Sequence, residues 1–174
     1  TDDGINASDG SSSETMEGFG GPGGGDMQAN EELAIVIEGG ILTVNAEGDG
    51  LDSNGSITIN GGEVYVEGSQ MGGNGALDAN GQATINAGIV IAIGTADMAQ
   101  GLTAGADQAS ISANVSGQIG SLVEIADENG NVLASYTANK PFQNVVASVA
   151  GMSEGQTYQV LVDGEATTVE ATSV

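Results

Sequence analysis

Ile35-Val36-Ile37-Glu38-Gly39-Gly40-Ile41-Leu42-Thr43-Val44 returns as Ile57-Thr58-Ile59-Asn60-Gly61-Gly62-Glu63-Val64-Tyr65-Val66, and again as Ala83-Thr84-Ile85-Asn86-Ala87-Gly88-Ile89-Val90-Ile91-Ala92. The turn pairs begin at 39, 61 and 87, offsets of 22 and 26 residues. A second column repeats at 26: Asp49-Gly50-Leu51-Asp52-Ser53-Asn54-Gly55 matches Gly75-Ala76-Leu77-Asp78-Ala79-Asn80-Gly81. Asp3-Gly4-Ile5-Asn6 is an earlier copy and Gly101-Leu102-Thr103 a degraded later one. Each unit reads as two short strands of alternating polarity around a Gly-containing turn, followed by an Asp-rich turn. A unit this short cannot close a core alone and must stack on its neighbours, so the repeat predicts an all-β chain built as a parallel β-helix, or β-solenoid. An antiparallel sandwich uses strands at similar spacing but does not call for the same turn residues at a constant offset.

Strand alternation turns Ile35, Ile37, Leu42, Val44, Leu51, Ile57, Ile59, Val64, Val66, Leu77, Ile85 and Val90 inward. The opposite column of the third copy reads Ile89, Ile91, Ile93, and three apolar residues on an outer face predict a cover, from the C-terminal segment or from another subunit. The repeats occupy 1–118, interrupted at about 8–32 by a Gly/Ser-rich insertion without periodicity that reads as a surface loop. From about Ile119 the repeat is lost. Leu122 to Tyr136 reads as two strands around an Asn-Gly turn and Gln156 to Glu165 as another strand and turn. An open solenoid end needs covering, so 119–174 is expected to be a C-terminal β cap. Thr1 opens directly onto a repeat copy, which predicts a processed chain.

Composition narrows the chemistry. The 174 residues carry 24 acidic side chains, one basic side chain and no histidine, for a net charge of −23. The one cation is Lys140, and there is no cysteine. A thiol nucleophile, an imidazole base, an arginine clamp and a His/Cys metal site are therefore all excluded. Nucleic acid is excluded as a partner because phosphate contacts need several Lys or Arg. No apolar run approaches the roughly 18 residues of a membrane span. With only 14% charged residues, the imbalance comes from missing cations rather than from excess anions.

Strands in a sheet lie about 4.8 Å apart, so aspartates at equivalent turn positions face one another and repel. Ca²⁺, which takes oxygen ligands at about 2.3–2.6 Å, fits between two such turns. The candidate ligands are Asp2, Asp3, Asn6, Asp49, Asp52 and Asp78, all hard oxygen donors. The same residues also suit plain Asx-turns at solvated corners. Asn54/Asn80 and Asn60/Asn86 read as amide ladders. Tyr65, flanked by Glu63 and Glu67 on the outward face of the second copy, is the candidate sugar-facing ring, with packing beneath the C-terminal segment as its other role. Asp and Glu could in principle support two-carboxylate glycoside hydrolysis, but no specific pair stands out. Lys140 precedes Pro141 outside the repeats and reads as non-catalytic.

Asp2-Asp3-Gly4-Ile5-Asn6-Ala7, the Gly-Gly strand turns, Gly48 to Gly55 and Gly75-Ala76-Leu77-Asp78 resemble a bacterial carbohydrate-binding family whose founding member binds cellulose and pectin. The likeness extends to the Asp127 to Gly130 turn and the Gly155 to Val160 strand. The resemblance implies a right-handed parallel β-helix related in shape to pectate lyases, bound Ca²⁺, display outside the cell or on its surface, and binding of plant cell-wall polysaccharide without cleavage. Neutral glucans are gripped by exposed aromatic faces, which are scarce here, whereas a galacturonate polymer reaches an acidic surface through shared Ca²⁺. The expected function is thus a non-catalytic, calcium-binding module for polygalacturonate or a cellulose-like glycan. The alternative is a structural surface or filament subunit, a homo-oligomer that stacks head to tail as a β-solenoid.

Overall fold

The structure, a computed structural model, describes residues 3–9, 29–105 and 108–172. Asp2 and most of the Gly/Ser-rich insertion lie outside the described residues. Equivalent residues of the repeat become partners in parallel ladders. In the first sheet β1 (Ile5–Ala7), β4 (Leu51–Ser53) and β7 (Leu77–Ala79) pair in that order, with Ile5, Leu51 and Leu77 in one row and Asn6, Asp52 and Asp78 in the next. In the second, β2 (Ala34–Ile37), β5 (Ser56–Ile59), β8 (Ala83–Ile85) and β10 (Thr103–Ala104) are also parallel. The third sheet begins the same way, with β3 (Ile41–Asn45), β6 (Glu63–Glu67) and β9 (Ile89–Gly94).

The expectation of a right-handed parallel β-helix with a C-terminal β cap is overturned. The strands divide among four separate sheets of three to five strands, none of them closed or wound as a solenoid. The repeat is too short to run through the chain as a single winding. Beyond β9 the third sheet turns antiparallel, taking β14 (Asn144–Ser148) and then β11 (Ile111–Ala113). The fourth sheet is wholly antiparallel, in the order β13 (Val132–Thr137), β12 (Leu122–Asp127), β15 (Thr157–Val162), β16 (Glu165–Glu170). Its last hairpin turns at Asp163 and Gly164, both at positive φ, as a two-residue turn of the hairpin type requires.

Two cores result. Side chains from the first three sheets, among them Leu51, Ile57, Ile59, Val64, Val66, Leu77, Ile85 and Val90, form one buried cluster, with Ile37 and Leu42 packed at its margin. The other face of the third sheet supplies Ile91 and Ile93 to a second cluster with Val123, Ile125 and Val160 of the fourth sheet. The outward apolar strip is thus covered by the C-terminal strands. β14 is buried on both sides, with Val146 in the first core and Val145 and Ala147 in the second. That explains its unbroken apolar run.

The Asp-Gly steps have a steric cause. A Cβ at Gly50 would lie 2.2 Å from Val66 Cγ1 and 2.4 Å from the Ala76 carbonyl oxygen. Gly4 stands in the same relation to Val44, at 2.2 Å, and to the Gly50 carbonyl, at 2.6 Å. Gly50→Ala is therefore expected to cost about 1–3 kcal/mol by overpacking, measured as a lower urea midpoint at an unchanged slope.

Candidate functional site

The acidic column is built by the first sheet. In β4, Leu51 and Ser53 point into the protein and are buried, so Asp52 between them faces outward. The ladder sets Asp52 between Asn6 and Asp78. The turns leading into these strands add Asp3 and Asp49. Asp3 Oδ1 accepts the Asp49 backbone N–H at 2.9 Å, and Asp49 Oδ1 in turn accepts the Gly75 N–H. Each turn carboxylate therefore reaches forward to hold the next copy of its own turn. The Asn6 side-chain amide donates to Asp3 Oδ2 at 3.0 Å and also to Asp52 Oδ2, a neutral bridge between two acids.

Burial, and then crowding by like charges, raises the proton affinity of Asp52 and Asp49. Burial, followed by the charges of Asp3, Asp49 and Asp78 and a hydrogen bond with Asp3, pushes the Asp52 carboxyl up to about 6. Asp49, only 8% exposed, is also raised by burial, against the Gly75 N–H that stabilises its charge, and further by Asp78 and Asp3. Among the described residues no cationic side chain stands beside them. Lys140 lies elsewhere, 3.2 Å from Glu47 and donating to the Ala46 carbonyl. The donor set of carboxylates and one amide suits a hard divalent cation in its chemistry. Among the described residues, though, no group of three or more acidic side chains is already gathered to hold a metal ion. The sixth candidate ligand, Asp2, lies outside the described residues.

Beside the column, at the free edge of β7, runs an open groove of about 400 Å³ whose polar walls are Asp78, Asn80, Asp97 and Gln100, with Leu77 and half-exposed Met98 as apolar surface. Gln100 acts as a substitute strand, its side-chain carbonyl accepting the Ala79 N–H at 2.8 Å while its amide donates to the Ala79 carbonyl at 2.9 Å. Sequence spacing does not pick out Asp97 or Gln100. They sit in a connection without periodicity, and only the Asp78 column beside them carried a signal.

The candidate sugar-facing residues lie apart, under the fourth sheet. The Tyr65 ring stacks on Tyr136 with centroids 5.1 Å apart and planes 11° apart, and its hydroxyl donates to Glu63 Oε2 at 3.0 Å. Glu67 is 1% exposed. Its Oε1 accepts from the Tyr136 hydroxyl at 2.9 Å, the Asn139 backbone N–H at 2.7 Å and the Asn139 side-chain amide at 3.2 Å. Its Oε2 is buried without a hydrogen-bond partner. Burial and the facing Glu67 push the Tyr136 hydroxyl up to about 12. Tyr65 and Glu67 thus join the third sheet to the fourth, with Tyr65 half-buried.

No family model, curated protein or solved structure matches this chain. The likeness to carbohydrate-binding proteins rests on the quoted motifs alone, and the chemistry of the site has to carry the functional reading. Among the described residues no helix is long and apolar enough to cross a membrane.

Proposed function

We propose that the chain is an extracellular, calcium-binding, non-catalytic module that holds an acidic or plant cell-wall polysaccharide. The observation that carries this reading is the in-register row Asn6, Asp52 and Asp78, with Asp3 and Asp49 beside it, running into the polar groove along β7. Asp3, Asn6, Asp49, Asp52 and Asp78 would hold the ion. A bound divalent cation neutralises the row and presents positive charge to a uronate carboxylate. Asn80, Asp97 and Gln100 supply acceptors and donors for sugar hydroxyls in the groove. Among the described residues, no amine or guanidinium side chain stands beside this row to take a proton from a uronate. The single amine, Lys140, is occupied by Glu47 and the Ala46 carbonyl.

Polygalacturonate retardation in affinity gels is expected to require Ca²⁺ and to weaken about tenfold or more in Asp78→Asn, with no unsaturated product absorbance at any time. Retardation that persists in chelator, or that Asp78→Asn leaves intact, refutes the calcium-mediated reading. The filament alternative needs two end edges that complement each other head to tail. Among the described residues β1, β2 and β3 each pair on one side only, in parallel sheets, while the opposite edge of the third sheet is the antiparallel β11 and that of the first is held by Gln100.

A further inference from the structure

A cleft of about 170 Å³ lies where the end of β9, the turn before β12 and the segment entering β14 meet. Its polar walls are Gln70, Thr95, Ser116, Gln118 and Gln143, over the buried ring of Phe142. The walls are fixed by backbone bonds. Gly117 and Phe142 exchange N–H to carbonyl bonds at 3.1 Å in both directions, and the Gln143 N–H donates to the Gly94 carbonyl at 2.8 Å. The Gln70 side chain donates to the Pro141 carbonyl across the mouth. Gly117 lets the turn close on the ring, since a Cβ there would lie 2.4 Å from two Phe142 ring carbons. The cleft is thus formed before any ligand arrives, as binding sites generally are.

Its chemistry is unlike the rest of the protein. In a chain of net charge −23, no charged side chain among the described residues lines it. An anion would meet no cation and a cation no carboxylate, so burying either would leave its charge uncompensated. Three amides and two hydroxyls each offer both donors and acceptors, the pattern that hydroxyl groups also present. The buried Phe142 ring gives the floor an apolar body. A space of about five liquid-water volumes is exchanged more favourably for one hydroxyl-rich ring than for a large or flexible molecule.

We propose that this cleft binds one neutral sugar unit, without calcium. It shares no residue with the acidic row or its groove, and the inference stands whether or not the calcium reading does. The test is an amide-resolved NMR titration of the whole chain in chelator with cellotetraose and, separately, mannotetraose, each followed by tetragalacturonate. One of the neutral sugars is expected to produce saturable shifts confined to Gln70, Thr95, Ser116 to Gln118 and Gln143, while tetragalacturonate in chelator leaves these signals unmoved. The double variant Gln118→Ala, Gln143→Ala changes two exposed side chains, so its melting temperature should be unchanged while neutral-sugar affinity falls about tenfold. The proposal is overturned if both neutral sugars give no saturable shift at tens of millimolar, if the shifts fall on other residues, or if the double variant binds as well as the parent. Calcium-dependent polygalacturonate binding measured in the same variant tells these failures apart from failure of the acidic row.

Discussion

Glu67→Ala is expected to destabilise the protein by about 3 kcal/mol or more, because three donors lose their only common acceptor inside the protein and a void is left behind. The Tyr136 hydroxyl and both Asn139 groups converge on Glu67 Oε1, and together they tie the third sheet to the fourth. Freed of that tie, the fourth sheet covers Ile91 and Ile93 less tightly, so the second core weakens with it. Glu67→Gln should behave differently. It keeps an acceptor for the same donors and removes a charge whose second oxygen is buried without a partner, so its cost should stay below about 1 kcal/mol. Thermal melts of both variants check this, since about 3 kcal/mol corresponds to a fall of roughly 6–12 °C in a chain of this size. Equal melting temperatures for the two variants would show that the carboxylate is not what holds the sheets together.

The second large effect is a loss of stability as calcium-free protein is brought from acid to neutral pH. Asp52 ionises near 6 in the folded protein, above its ordinary value of 3.8. Below pH 3.8 the group is protonated in both states and its contribution to stability is fully present. Between 3.8 and about 6 the unfolded chain gives up the proton while the folded one keeps it, so stability falls, and above that range the contribution is lost. Asp49 is raised too and acts in the same sense. Asp127, lowered by the Asn131 side chain, and Asp163, lowered by the Leu122 N–H, act in the opposite sense at the two ends of β12. The difference between the parent and Asp52→Asn isolates the row from them. Melting in chelator should fall more steeply with pH in the parent than in the variant across that window. Millimolar Ca²⁺ should raise the parent's melting temperature at pH 7 and do progressively less below pH 6, where protons compete for the same oxygens. Parallel pH curves for the two proteins would remove Asp52 from the account.

The rows of the sheets were legible in the sequence because a constant offset in a repeat becomes residue register in a parallel ladder. Ile35, Ile57 and Ala83 fall in one row and Leu51 and Leu77 in another. The side-chain amide of Asn86 reaches Asn60 Oδ1 at 2.7 Å, the ladder expected of that pair. The alternation also separated the two faces of β9, sending Val90 to one core and Ile91 and Ile93 to another. Periodicity gives a residue's face but not what lies on that face. Glu63, Tyr65 and Glu67 do point away from the first core, yet Tyr65 stacks on Tyr136 of the fourth sheet and Glu67 is buried against it as a tie between the sheets. The same blindness affected the architecture. A repeat announces parallel neighbours, but nothing in its spacing says where it stops, and the antiparallel β14 enters the third sheet from a segment with no repeat copy. The acidic row was visible as a column of aspartates; its mutual crowding and the groove beside it depend on burial and on Gln100, which no spacing rule picks out.

Uptake of calcium by the acidic row is tested by a calorimetric Ca²⁺ titration at pH 6, where Asp52 is about half protonated, run in parallel on the parent and on Asp52→Asn. Saturable binding is expected in the parent, with protons released as the ion displaces them from Asp52 so that the measured heat changes with the ionisation enthalpy of the buffer, and binding at least about tenfold weaker with a smaller buffer dependence in the variant. No saturable heat up to millimolar Ca²⁺, or identical titrations for the two proteins, would contradict it.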